Sequence, residues 1–306
     1  MQYRGVQIIS APYHVGEINI GVGKGPQAIL DGGLTAALHG MGVATVISMV
    51  DSVQDYEGEI GRSFELMRRI ANGVRSARRE HMFPVVLGGN CFSSVGISAG
   101  IDDIPIDDLG MIWHDAHDDY HVPDTLSSGY FDAMGVSMLT GESWHTLVHS
   151  IPGFRPIKKT NIILCGTRDV TETERRRLND AGFKVIWGHG ADEARSGTYA
   201  EALEHALRTQ SAPKHVMVHW DLDVLDADKC GKANKFAAPG GLTGRDLQDI
   251  ADMLPKYTSP TSLLVASFDP ACSKDDGTHI AQTAVTATCR LISSLVSQGQ
   301  LLCART

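Results

Sequence analysis

Short apolar runs alternate with longer amphipathic stretches from one end of the chain to the other. The runs that read as strands are Val6–Ser10, Val43–Val50, Phe83–Leu87, Leu109–Trp113, Asn161–Cys165, Lys184–Trp187, His215–Trp220 and Ser262–Phe268. Several are nearly unbroken in Val, Ile, Leu and Met, the pattern of strands covered on both faces. Between them, Pro26–Met41, Gly61–His81, Thr171–Ala181, Tyr199–Arg208 and Thr243–Leu254 carry helical spacing, with Gly and Pro gathered at the joints. This alternation predicts an α/β fold with a mostly parallel sheet covered by helices. No internal repeat, linker or low-complexity tract divides the sequence, so residues 1–306 are expected to form a single domain. Two polar stretches, Asp115–Gly129 and Asp226–Gly241, each follow a strand, at the carboxyl edge where such sheets place their sites.

With 42% hydrophobic and 21% charged side chains, the composition is that of an ordinary globular protein and excludes a disordered or collagen-like chain. Lys and Arg number 27 against 36 Asp and Glu, a net charge of −9, which argues against a nucleic-acid partner. Six scattered cysteines form no Cys-x-x-Cys pair and read as reduced thiols. No run approaches the ~18 apolar residues of a membrane helix. The N-terminal stretch lacks the basic region and long apolar run of a signal peptide, so a cytoplasmic location is expected.

Two segments carry the candidate chemistry. They are Trp113-His114-Asp115-Ala116-His117-Asp118-Asp119 and His219-Trp220-Asp221-Leu222-Asp223-Val224-Leu225-Asp226, each at the end of an apolar strand. In extended backbone, alternate residues share a face, which groups Asp115, His117 and Asp119, and likewise Asp221 with Asp223. Two solvated acidic turns are the plainer alternative. Clustered carboxylates beside buried-type strands are costly without cations, however, and divalent metal is the natural compensation. Mixed carboxylate and imidazole donors suit Mn²⁺ and, less specifically, Fe²⁺, Zn²⁺ or Ni²⁺. Two bridged ions would polarise water to hydroxide near neutral pH.

These segments resemble the Asp-Ala-His-x-Asp and Ser-x-Asp-x-Asp-x-x-Asp-Pro signatures of the ureohydrolase (arginase/agmatinase) family. Gly88-Gly89-Asn90-Cys91 is similar to its Gly-Gly-Asp-His motif, Gly166-Thr167-Arg168-Asp169-Val170 to its Gly-x-Arg-Asp segment, and Gly240-Gly241-Leu242-Thr243 to its Gly-Gly-Leu-Thr segment. The resemblance covers most of the chain. It implies a three-layer α/β/α fold with a central, mostly parallel, eight-stranded sheet, as in arginases and deacetylases. It also implies a binuclear manganese centre, a small-molecule guanidino substrate and a homo-trimer or hexamer. One ion would be held by Cys91, Asp115, Asp119 and Asp221. The other would be held by His117 and Asp223, with Asp115 and Asp221 bridging and Asp119 orienting the attacking hydroxide.

The sequence departs from that pattern at three chemically important points. Cys91 stands where the family has a His ligand; as a soft thiolate it admits Fe²⁺, Zn²⁺ or Ni²⁺, and as an inert buried thiol it would weaken that metal position. Asp132 stands where a proton-shuttling His is expected. Ser267, in Ser267-Phe268-Asp269-Pro270, stands where a Glu pairs with the guanidinium. Asp132 is therefore expected to bind the amidinium or act as general base, and Asp269 to face the same way as Ser267 and partly replace the missing Glu. His121 and Ser128 fall where arginases hold the amino-acid end of the substrate. His114, His219 and Trp220 replace small or apolar residues beside the metal segments, either as a second shell or to narrow the pocket.

The expected function is metal-dependent cleavage of a C–N bond in a modified guanidine, such as an N-hydroxyguanidino compound, rather than plain arginine. A formimino-glutamate-type substrate is a second option. The competing expectation is a family descendant that has lost hydrolysis and serves as a binding or regulatory subunit. Retention of Asp115, His117, Asp119, Asp221 and Asp223 speaks against it.

Overall fold

The structure, a computed structural model, describes residues 2–190, 196–210 and 212–304. The strands of its main sheet are β1 (Gly5–Ala11), β2 (Thr45–Met49), β3 (Met82–Gly88), β4 (Leu109–His114), β5 (Ile162–Cys165), β6 (Lys184–Ile186), β7 (His215–Asp221) and β8 (Ser259–Ala266). They form one eight-stranded sheet in the order β2-β1-β3-β8-β7-β4-β5-β6, and every pair is parallel. Each apolar run named from the sequence is a strand. The four central strands are β3, β8, β7 and β4, and they are almost wholly buried, which is why they read as continuous apolar runs.

Helices cover both faces and complete the three layers. Gly25–Asp31, Tyr199–Leu207, Gly244–Tyr257 and Thr278–Ser297 pack Ile29, Leu203, Leu247, Ile250 and Leu291 onto one face. Gly58–Arg79 and Ser93–Gly100 pack Phe64, Met67 and Val95 onto the other. Thr171, Thr198 and Thr243 start their helices with reciprocal capping boxes, which satisfy backbone N–H groups that the first turn leaves free.

Two differences from the sequence expectation have local causes. The segment 26–41 is two helices, because Gly33 adopts φ +93° and breaks the first from Leu34–Gly40. Ser93–Gly100, not singled out from the sequence, is buried on every side and so shows no amphipathic period.

Candidate metal centre

The carboxyl ends of β3, β4, β7 and β8 converge on one spot. Beyond β3 the chain turns through Gly89-Asn90-Cys91, against the backbone of Tyr13. A β-carbon at Gly89 would lie 1.9 Å from the Tyr13 carbonyl oxygen, so only glycine lets the two backbones meet. Asn90 pins the turn from inside: its Oδ1 accepts from Val15 N at 2.6 Å and its Nδ2 donates to Asp132 Oδ2 at 2.6 Å. The other Asp132 oxygen accepts from Phe92 N at 3.0 Å.

Two sets of donor atoms meet at Asp115. Cys91, Asp115, His219 and Asp221 place one donor each within 4.8 Å of all the others, and all four are buried. Asp115, His117 and Asp223 do the same beside them. The Cys91 thiol donates to Asp221 Oδ2 at 2.9 Å. His117 Nδ1 lies 3.3 Å from Asp115 Oδ1 and 3.4 Å from Asp223 Oδ2, and its Nε2 lies 3.5 Å from Asp169 Oδ2. Outer groups fix the orientation of these donors. Trp113 Nε1 donates to Asp115 Oδ2 at 2.9 Å, and Asn234 Nδ2 donates to Asp223 Oδ2 and to the Ser267 carbonyl, both at 3.0 Å.

Burial and mutual repulsion dominate the electrostatics. Burial, then the Asp223 charge, pushes the Asp115 carboxyl up to about 6. Asp119 and Asp221 are driven well above the ordinary carboxylate range, by burial first and neighbouring acids second. The Cys91 thiol is raised well above its usual value by burial and by Asp221. Burial alone would lower His117, but the charge of Asp223 and hydrogen bonds to Asp115 and Asp169 outweigh it and hold the imidazole well above its ordinary value. Protons occupy positions that a divalent cation would compensate better, so the donor chemistry fits the metal ions that the resemblance implies.

A cavity of about 660 Å³ opens over the His117 side, with His14, Tyr130, Lys235 and Phe236 in its walls. Asp119, held at φ +44°, lines the cavity and stands outside both donor sets. His121 also lines it, with Nε2 2.9 Å from Glu174 Oε1, and Ser128 lies at the exposed rim, where its Oγ accepts from Tyr130 N. Ser267 faces the cavity, with Oγ 3.7 Å from Cys91 Sγ. Asp132 reaches the cavity wall, yet both of its oxygens are engaged by the Asn90–Phe92 turn.

Asp269 departs from expectation. The strand ends at Ala266 and Ser267 adopts φ +64°, so the two-residue alternation does not carry through. The Asp269 carboxylate instead accepts from Ala271 N at 3.1 Å, outside the cavity lining. In the other direction, Asn234, Lys235 and Phe236 belong to the site and were not anticipated from the sequence; they sit in the irregular segment after Gly231, which carries no periodicity. The sequence offers His219 as an outer group or a pocket-narrowing one, not as a metal donor. The signal for one was present: it alternates with Asp221 on β7 and so shares its face.

The layered parallel sheet and the buried carboxylate, imidazole and thiol donors at its carboxyl edge define a hydrolase of amidino and guanidino compounds. The chain belongs to the arginase family, whose sequence profile matches residues 4–296. It is similar to the arginase of Bacillus subtilis (strain 168), with 30% identity over 97% of this chain and 99% of that one. Its structure resembles the crystal structure of arginase from Bacillus cereus, with a TM-score of 0.83 and 25% identity over 94% of this chain and 98% of that one. In fold alone it is also similar to formimidoylglutamase from Bacillus subtilis subsp. subtilis str. 168, with a TM-score of 0.72 and 16% identity over 97% and 89% of the two chains.

Proposed function

We propose that the protein hydrolyses a C–N bond of a modified guanidine, with an N-hydroxyguanidino compound as the best chemical fit. The observation that carries this reading is Ser267, a neutral hydroxyl in the cavity wall where the family resemblance expects a carboxylate to pair with guanidinium. A plain guanidinium keeps its charge at any physiological pH and needs such a partner. An oxygen substituent on nitrogen withdraws electrons and lowers basicity. Such a substrate gives up its charge at a much smaller cost, and in its neutral form it can exchange hydrogen bonds with Ser267 Oγ.

Asp115, His117 and Asp223 form the harder donor set, suited to Mn²⁺, while Cys91 and Asp221 complete a softer one. Divalent ions held there supply Lewis acidity, which makes hydroxide available near neutral pH. Asp119 lines the cavity beside the donor sets, a position from which a carboxylate can take a proton from the attacking water and return it to the leaving amine. Lys235 offers a donor to an anionic group at the far end of the substrate, while His121 lines the same wall with its ring turned to Glu174 and Thr125. Asp132 acts on the substrate indirectly, by fixing the turn that carries Cys91. The balance is simple: water gives its oxygen to the guanidino carbon and its two hydrogens to nitrogen, the C–N bond breaks, and a substituted urea and an amine leave, a neutral substrate giving a neutral amine that takes up its proton from solvent.

The test is kcat/KM on paired substrates with metal-loaded protein. An N-hydroxyguanidino amino acid should exceed its unmodified counterpart by roughly 100-fold, with hydroxyurea as product. Urea release from arginine at equal or greater efficiency would overturn the choice of substrate. Failure to take up any divalent ion and to turn over either substrate would instead favour a non-catalytic subunit.

A further inference from the structure

We propose that His219 is itself a metal ligand, so that Cys91, His219, Asp115 and Asp221 form a thiolate–imidazole–dicarboxylate site that selects Zn²⁺ over Mn²⁺. The inference rests on the metal-hydrolase reading of the same cavity. It goes further by adding a ligand and by assigning an ion to the sulfur-bearing half.

Three observations converge on this residue. The first is position: a ring nitrogen of His219 lies within 4.8 Å of a donor atom on each of Cys91, Asp115 and Asp221. The second is orientation. The imidazole stacks on Trp113 with 3.8 Å between ring centroids and 8° between planes, a direct cross-strand pair of β4 and β7. Its Nδ1 lies 2.8 Å from Ser94 Oγ. With the proton on Nδ1 and donated to Ser94, the lone pair stands on Nε2. The third is an unmet need. His219 is fully buried, and its Nε2 has no hydrogen-bond partner among the described residues. A desolvated nitrogen without a partner, on an imidazole set beside two carboxylates and a thiol, is costly unless something binds it.

The chemistry of the set then decides the ion. One sulfur, one imidazole nitrogen and two carboxylates make four donors of mixed softness, which is a coordination number and composition that Zn²⁺ accepts. Mn²⁺ favours oxygen-rich surroundings. An imidazole at 219 thus supplies from β7 what Cys91 does not supply from the turn after β3. Ser94 and Trp113 act as positioning residues, fixing the tautomer and the plane of the ring.

The experiment uses full-length protein stripped of metal and titrated with Zn²⁺, Mn²⁺ and Co²⁺ against a chromophoric chelator, with the Co²⁺ absorption spectrum as a second readout. Wild type should bind Zn²⁺ more tightly than Mn²⁺ and show a sulfur-to-cobalt charge-transfer band with intense four-coordinate d–d absorption. His219→Gln and His219→Phe should each lose roughly 100-fold in Zn²⁺ affinity and change the d–d bands while keeping the sulfur band; Ser94→Ala should lose roughly 10-fold. His219→Phe preserves an aromatic ring against Trp113, and its melting temperature reports whether the fold survives.

Wild-type uptake of metal with unchanged affinity and spectra in both variants would overturn the role of His219 and leave the hydrolase reading standing. No uptake of any ion by wild type would sink both. Should both variants fail to fold, X-ray absorption of Zn²⁺-loaded His117→Asn protein, which lacks the other imidazole of the cluster, decides the matter. A sulfur at about 2.3 Å together with imidazole scattering supports the assignment, and sulfur without imidazole overturns it.

Discussion

Asp115 stands between two donor sets of opposite character. On one side Cys91 and His219 are sealed beneath Trp113 and the backbone of the 89–92 turn, with no more than 1% of either residue exposed. On the other, His117 and Asp223 edge the cavity, and Asp169, which touches His117, leaves 61% of its side chain in solvent. One set is soft and closed except where Asp221 reaches the cavity; the other is hard and open. The contrast teaches that a single centre can divide two tasks, holding an ion of defined identity and presenting an ion to substrate, when one bridging carboxylate couples them.

The most severe way to break the contrast is to remove the shared member. Asp115→Ala should cut bound metal at both sets to near zero and reduce turnover by more than ~1,000-fold, as read by metal analysis beside steady-state kinetics.

Chelation comes next. At a metal concentration of about 1,000 times Kd, binding contributes roughly 4 kcal/mol, so stripping the ions should lower Tm by roughly 10 °C. The loss should depend on pH. Asp115 and Asp132 are both raised to about 6 by burial, above the ~4 of an unfolded chain. A raised folded value means stability that is fully present below the unfolded value and lost as pH rises through the folded one. Metal-free protein should therefore lose Tm between about pH 4 and pH 7, and the gap to metal-loaded protein should widen over that window. A constant gap would refute the buried-acid account.

Cys91→His sharpens the contrast by hardening the closed set. Selectivity should move toward Mn²⁺ by roughly 10-fold, measured by competitive titration. Asp132→Asn withdraws one of two acceptors from the Asn90–Phe92 turn. It should weaken Zn²⁺ binding by up to roughly 10-fold while leaving Mn²⁺ binding at His117 and Asp223 nearly unchanged. Asp269→Ala, which touches neither set, should change kcat/KM by less than about twofold.

The fold was legible because parallel strands buried on both faces cannot hide: β3, β4, β7 and β8 are buried along nearly their whole length and carry apolar runs at their centres. Alternation at strand ends grouped Asp115, His117 and Asp119, and Asp221 with Asp223. The donor sets bring together Asp115 with His117 and Asp223, and Asp115 with Asp221, although β4 ends at His114 and 222–224 form a 3-10 turn, and Asp119 stands outside both sets. Asp269 was misplaced by applying that same alternation rule beyond the end of the strand at Ala266, across the left-handed turn at Ser267, which nothing in the local sequence announces. Asn234 was invisible for a different reason. It arrives from an irregular loop, and its contacts with Asp223 and Ser267 exist only after tertiary folding. His219 was visible, but its chemistry could not be judged without knowing that one nitrogen is satisfied and the other is not.

Gly89 has a consequence for how this centre can be altered. Because the Tyr13 carbonyl leaves no room for a β-carbon there, the peptide that presents residue 91 is clamped at a fixed height above the sheet. The plug can be exchanged while the socket stays put. A protein engineer could retune which ion settles here by a one-residue edit, without redesigning the scaffold around it.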